Sequence, residues 1–379
     1  MKWIWEQNDW PRFAFDAARF HSFERAFHRN AGLIIGSMTA ISADDVDELR
    51  VTLLSSEALD TSMIEGEVLD RDSVQSSIRK QLGLQTDGKR AGPRETGASQ
   101  MMVDLYRSYA EALTEERLFS WHRMIMNGRV DLEEIGSYRT HVEPMQIVSG
   151  RLDMPKVFYE APPSSRIPDE MKTYVGWFNH AQEEGMPTVI HAGIAHLYFE
   201  LIHPFEDGNG RIGRAIAEKA LAIGARQSLI TSLSTTIERD KKAYYHALEQ
   251  ANSSLNITEW LVYFCEKILE AQVHVQKMIA FIVEKARYFE KYDEQLNDRQ
   301  KKVALRLFRE GRGGFKGGLS AENYLRITGT SRATATRDLS EMVELGALKK
   351  TGKLRHTRYY PPFFDQKHQA ETAKANKRL

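Results

Sequence analysis

Cysteine is almost missing from this chain: there is one, Cys265, in 379 residues. That excludes an intrachain disulfide and any cysteine-based metal cluster, and Cys265 itself sits in an apolar run, where it reads as buried filler. Net charge is missing as well. Lysine plus arginine and aspartate plus glutamate number 52 each, so the chain as a whole gives no electrostatic hint of a nucleic-acid partner. No uninterrupted apolar run approaches the ~20 residues that span a bilayer. Glu6 and Asp9 stand where the apolar core of a signal peptide would lie. The expectation is a cytoplasmic protein with no membrane partner, and the length predicts two or three domains.

What the chain does have is a run of twelve residues, His203 to Arg214, reading HPFEDGNGRIGR. Apolar residues at helical spacing lead in from Thr188 to Ile202, and a second such run follows from Ile212 to Ala225. The stretch therefore reads as a tight loop between two helices, ending at a helix N-terminus. Gly208 and Gly210 let the backbone turn left-handed and come close to a ligand. Successive amides in such a turn, with the first N–H groups of the next helix, form an anion site. Asn209 tolerates the left-handed region and fixes the turn with its amide. Arg211 and Arg214 lie three apart, share a helix face and suit forked contacts to phosphate. Asp207 is a hard oxygen ligand of the kind that holds Mg2+ together with substrate phosphates. His203 is the only group in the loop whose ordinary pKa lies near neutrality, which makes it the natural general base.

The run resembles the signature of the Fic family, H-x-F-x-[DE]-G-N-G-R-x-x-R, and every fixed position matches. The resemblance implies a mostly α-helical core and transfer of AMP from ATP to a Ser, Thr or Tyr hydroxyl of a target protein or of the chain itself. It implies that His203 deprotonates that hydroxyl and that Asp207 holds Mg2+. Gly208, Asn209 and Gly210 would cradle the α- and β-phosphates, and Arg211 and Arg214 would grip the phosphate tail. Ile212 and Gly213 complete the loop's expected nucleotide contacts, and Phe205 anchors it to the core.

Upstream, residues 61–66 read TSMIEG. Thr61 and Glu65 share a helix face, and Gly66 leaves room for close approach. The segment resembles the family's inhibitory motif, [ST]-x-x-x-E-[GN], in which Glu65 would occupy Arg214 and repel the phosphate tail. Downstream, Met145–Val148 and Lys156–Glu160 flank a turn-rich SGRLDMP and read as a β-hairpin. The resemblance makes this the flap over the nucleotide, with Val157, Phe158, Tyr159 and Glu160 on the edge that presents the target by strand addition. Tyr244, Tyr245 and Asn252 fit an adenine-and-ribose contact, since similar positions touch the nucleoside in Fic relatives. The alternative for the two tyrosines is plain core. His191 and His196, five apart, do not share a face and read as structural.

Four regions are expected. Residues 1–110 form an N-terminal helical region, opening on a dense aromatic brace from Trp3 to Phe20. Residues 111–285 form the catalytic core. Residues 290–363 form a winged helix-turn-helix, and residues 364–379 a polar tail. Within the first region, residues 83–98 (GLQTDGKRAGPRETGA) read as a surface loop. From Arg332 to Arg358 seven Lys/Arg stand against three Asp/Glu. Arg332, Thr334, Thr336 and Arg337 face outward, and Lys349, Lys350, Lys353 and Arg355 stand on the wing. That pattern suits either DNA phosphates or a protein partner. Two further functions stay open: a transcriptional regulator whose core senses nucleotide, and removal of AMP from modified proteins. Relatives of this kind often dimerise, so a homodimer is expected.

Overall fold

The computed structural model describes residues 3–86, 88–149, 156–228, 231–309, 315 and 317–363. The expected tail, most of the glycine-rich 311–318 stretch and the turn of the expected hairpin lie outside the described residues. The chain separates into two compact units, Met1–Gly36 with Val46–Gln276, and Ser37–Asp45 with Lys277–Leu379.

Among its described residues the first unit is helical apart from one hairpin. Its helices run α1 (His21–Met38), α2 (Ala43–Ile64), α3 (Arg71–Leu82), α4 (Pro93–Ser108) and α5 (Glu115–Ile125). The hairpin follows, β1 (Gln146–Ser149) and β2 (Lys156–Glu160). Then come α6 (Ile167–Glu183), α7 (Thr188–Ile202), α8 (Asn209–Ala225), α9 (Leu233–Glu238), α10 (Lys241–Ala251) and α11 (Thr258–Tyr292), whose later turns pass into the second unit. At the centre stands α7, whose sequence TVIHAGIAHLYFELI is apolar almost all round and buried at every position. That is how a helix wrapped by others reads.

Three expectations need correction. Residues 93–98 are not loop: Pro93 sits at the first turn of α4, where its missing N–H is no loss. Gly97, which suggested a loop, marks close helix packing instead, because a Cβ there would lie 1.8 Å from the carbonyl oxygen of Met124 on α5. The helical pattern that the sequence shows from about Arg239 to Asn252 forms α10 but starts two residues later, because Asp240 adopts a non-helical conformation and its side chain accepts from the N–H of Ala243, capping α10 separately from α9. Finally, α8 begins at Asn209 rather than Ile212, so most of the Gly-Asn-Gly turn is already helix.

The aromatic opening is a brace, as expected. Trp5 donates its indole N–H to the carbonyl of Glu160 at 2.7 Å, and Trp3 packs edge-on against Tyr159, both on β2. Ile4 donates its backbone N–H to the carbonyl of Asn252, and Trp10 reaches Glu170 and Tyr198. β1 and β2 pair antiparallel with a bulge between Ile147 and Val148.

The second unit holds α12 (Asp298–Arg309), α13 (Ala321–Thr328) and α14 (Arg332–Glu344), then a hairpin of β3 (Lys349–Thr351) and β4 (Arg358–Tyr360). Ser320 and Asn323 cap α13 reciprocally, Gly329 ends it in the left-handed region, and Ser331 caps α14. Tyr288, Phe308, Tyr324, Leu339 and Met342 share its core. Asp338 is buried within it, held by Arg299 and the hydroxyl of Tyr324. Arg332, Thr336, Arg337, Lys349, Lys350 and Lys353 are exposed. Thr334 instead turns its hydroxyl back to Ser331.

Candidate nucleotide site

The loop after α7 starts with strain. His203 ends the helix at φ +51°, a left-handed conformation uncommon for a side chain of its size, and its N–H bonds back to Phe199. Arg139, fully buried, pins the turn from behind, donating Nε to the carbonyl of His203 and its backbone N–H to that of Pro204. The rest of its guanidinium reaches Ser164 and the carbonyl of Pro162, just past the hairpin. Phe205 is buried and stacks on His122 at 4.1 Å. Asn209 closes the turn on both sides, its oxygen accepting from the N–H of Phe205 and its amide donating to the same residue's carbonyl. That side chain is spent on the loop, so only its backbone is left for a ligand. Gly208, at φ +82°, takes the left-handed position that caps α8.

His203 is partly buried, its side chain 14% exposed, and the loss of solvent lowers its pKa to about 4, so the ring is neutral at pH 7. Its Nδ1 lies 3.3 Å from the carbonyl of Glu200. A carbonyl accepts only, so Nδ1 carries the proton and Nε2 keeps its lone pair. Asp207 is the opposite case. Burial works against its charge, but Arg129 at 2.6 Å, Arg211 and the N–H of Gly208 outweigh that and hold the pKa below the ordinary aspartate value. His122 donates Nε2 to the carbonyl of Asp207 and accepts the N–H of Gly136 at Nδ1.

A cavity of about 630 Å³ opens beside the loop. His203, Asp207, Gly208, Asn209 and Gly210 form one wall, Phe158 and Tyr159 of β2 with Ile147 of β1 another, and Tyr244, Tyr245 and Asn252 a third. Glu65 lines it too. Several expected contacts do not. Ile212 is core, and Gly213 packs against His196 and Glu200. Val157 and Glu160 do not line the cavity. Tyr244 is buried with its hydroxyl 2.8 Å from Nε2 of His196, whereas Tyr245 is 43% exposed. Asn252 donates its amide to the carbonyl of Phe158 at 2.6 Å and so ties α10 to the hairpin.

Neither arginine of the loop faces the cavity, because each is taken by a carboxylate. Arg214, fully buried, donates to Glu65 at 2.7 Å and to the hydroxyl and carbonyl of Thr61 at 2.8 and 2.9 Å. Burial opposes its charge, but Glu65, Tyr244 and Glu200 more than compensate and raise its pKa. The Glu65 carboxylate lies directly over Gly210, where a Cβ would come within 2.2 Å of its oxygen. Arg211 donates to Glu67 at 2.7 Å.

The sequence reading missed Arg129, Arg139, His122, Glu67 and Glu200. Glu200 lines the cavity 4.0 Å from Nδ1 of His203. Burial, with Glu65 adding to it and Arg214 opposing, raises it to about 8. No spacing rule singles out such residues, because they reach the loop from distant segments or from the apolar face of a helix. His191 and His196 are buried among aromatic rings, and burial lowers them to about 4 and about 3. Among the described residues no group of three or more His, Cys, Asp or Glu is placed to hold a metal.

A turn built this way, on two central helices and under a hairpin, belongs to a known class. Residues 112–221 match the Fic/DOC family, and the chain carries a Fic/DOC domain. Residues 3–84 match a second family, described as a domain of unknown function (DUF4172). The chain is 26% identical over 195 residues to a probable protein adenylyltransferase of Aquifex aeolicus (strain VF5), covering 52% of this chain and 55% of that one. It is 27% identical over 142 residues to the protein adenylyltransferase fic-1 of Caenorhabditis elegans, covering 38% of this chain and 25% of that one. It therefore spans about half or less of the length of these relatives. In fold it resembles a Fic family protein from Desulfovibrio desulfuricans G20, with a TM-score of 0.50, 22% identity and 94% and 99% of the two chains covered. No described helix is long and apolar enough to cross a membrane.

Proposed function

We propose that this chain is an autoinhibited protein adenylyltransferase, moving AMP from ATP to a hydroxyl of a target protein or of itself. Nε2 of His203 takes the proton of the target's Ser, Thr or Tyr hydroxyl. The oxygen bonds to the α-phosphorus, the bond from that phosphorus to the bridging oxygen breaks, and pyrophosphate leaves. The amides of Gly208 to Gly210 and the N-terminus of α8 stabilise charge on the phosphates without having to reorganise. The edge of the hairpin over the cavity suits a target segment added as a strand. Asp207 fits Mg2+, being an ionised hard-oxygen ligand on the cavity wall, with substrate oxygens completing the shell. Bound there, Mg2+ would neutralise charge on the phosphates.

The observation that carries this reading is Glu65, seated over Gly210 and paired with Arg214 beside a neutral imidazole. A carboxylate in that place occupies the cation a triphosphate tail needs and repels the tail itself. Mass spectrometry of the protein incubated with ATP tests it. Glu65→Gly gains AMP adducts over wild type, and Glu65→Gly with His203→Ala shows none. Adduct formation without His203 would remove the histidine from the mechanism.

A second role is supported by the basic exposed face of the second unit, which we read as a winged helix-turn-helix. Arg332 and Arg337 on α14, with Lys349, Lys350 and Lys353 on the hairpin, suit DNA phosphates. Steeply salt-dependent duplex binding, lost in the Arg332→Ala/Arg337→Ala variant, tests that.

A further inference from the structure

Glu67 lies two residues beyond the expected guard, outside the motif that singles out Glu65. Gly66, at φ +82°, and a bond from the N–H of Glu67 to the carbonyl of Ser62 fold the chain back at the end of α2. Both carboxylates thereby meet α8. Glu67 accepts from Nη1 of Arg211 at 2.7 Å, and its other oxygen lies 3.5 Å from Nε of Arg94 on α4. Arg211 is buried, its side chain only 6% exposed, and its second amino group stands 3.5 Å from Asp207. Its Nε has no hydrogen-bond partner among the described residues. The guanidinium is thus suspended between two carboxylates, off the cavity wall, with one donor unspent. A buried donor without a partner is costly, so this is a resting place from which a better acceptor can draw the group.

We propose that Glu67 is a positioning residue for the nucleotide site, acting through Arg211. It withholds that guanidinium from the phosphate chain and competes with ATP for it independently of Glu65. The proposal rests on the adenylyltransferase reading for its choice of ligand. Its consequence is that removing Glu65 alone exposes only one of the loop's two arginines, and full affinity for ATP needs both carboxylates displaced.

The test uses the full chain carrying His203→Ala, so that ATP is not consumed. Calorimetry compares ATP, ADP and AMP on Glu65→Gly, on Glu65→Gly/Glu67→Gln, and on the latter with Arg211→Ala. Adding Glu67→Gln is expected to tighten ATP by about 5- to 10-fold, as one charge-assisted contact in a partly exposed setting allows. ADP should gain less, AMP should stay within about twofold, and Arg211→Ala should erase the gain. Glu67→Ala, which offers Arg211 no polar group, must behave like Glu67→Gln. Unchanged or weaker ATP binding on adding Glu67→Gln would overturn the proposal, since Glu67 would then be supporting Arg211. The two readings fail separately. Tighter binding with no AMP transfer by Glu65→Gly overturns the enzyme and leaves Glu67's role standing, and transfer without tightening does the reverse.

Discussion

Replacing Glu65 by glycine removes a carboxylate that contacts Arg214 at 2.7 Å while its own side chain is 29% exposed. A hydrogen bond to a charged group contributes about 1.5–3 kcal/mol net, and partial exposure puts this one at the lower end, about 1.5–2 kcal/mol. The triphosphate no longer has to displace it, so ATP affinity should rise about 10- to 30-fold. The rate should rise by more. The carboxylate oxygen sits over Gly210, on the floor where phosphates must lie, and a misplacement of about 1 Å at the reacting phosphorus costs on the order of 100-fold. Calorimetry gives the first number and transfer from ATP labelled at the α-phosphate gives the second. Glu65→Gln separates charge from bulk: it should recover much of the affinity but less of the rate, because the side chain still covers the floor. If Glu65→Gly leaves both quantities within twofold of wild type, the carboxylate is a surface anchor for α2 and the inhibitory reading is wrong.

Four other outcomes are expected. Burial holds His122, His191 and His203 at about 4 and His196 at about 3, below the ordinary 6.5. The unfolded chain therefore binds more protons between about pH 6.5 and 4, and the unfolding temperature should fall steadily as pH drops through that window; a flat profile from pH 7 to 5 contradicts it. Glu200, raised to about 8, ionises beside the cavity as pH rises through that value, so ATP should bind more weakly at pH 9 than at pH 7. Glu200→Gln should remove the difference. Arg139→Ala strips three carbonyl or hydroxyl partners of a buried guanidinium and should lower stability by about 3 kcal/mol or more in urea titrations; a loss under about 1 kcal/mol would show that the turn holds without it. Lys242 is exposed, lines the cavity, and has no hydrogen bond or ion pair among the described residues. Lys242→Ala should weaken ATP about threefold and AMP hardly at all, and equal effects on both would deny it a phosphate contact.

The loop was legible because its chemistry is local. Gly208, Asn209, Asp207 and His203 stand in one run, each constrained for its own reason, and the helix before them is apolar enough to be drawn with its observed ends. Thr61 and Glu65 were legible because four residues make a helical turn. The supports were not. Arg139 reads as one more arginine in a turn-rich stretch, and only the fold sets it behind His203. Glu67 looks like a solvated glutamate until the chain reverses at Gly66. The misread part of that loop, residues 93–98, has the same origin: Gly97 is small because Met124 presses on it, a tertiary fact that a glycine in a polar stretch does not announce. Tyr244 and Tyr245 differ for geometric reasons, one turned in to His196 and the other out to the cavity.

The tryptophans at the start of the chain grip two walls of that cavity at once, Trp3 and Trp5 on β2 and the backbone of Ile4 on Asn252. The first residues of the chain are therefore handles on the pocket rather than a decoration far from it. A fusion partner joined tightly at Trp3, or a trim past Trp10, should loosen the hairpin's seat and register as slack in nucleotide grip, even though no residue touching the nucleotide would have been altered.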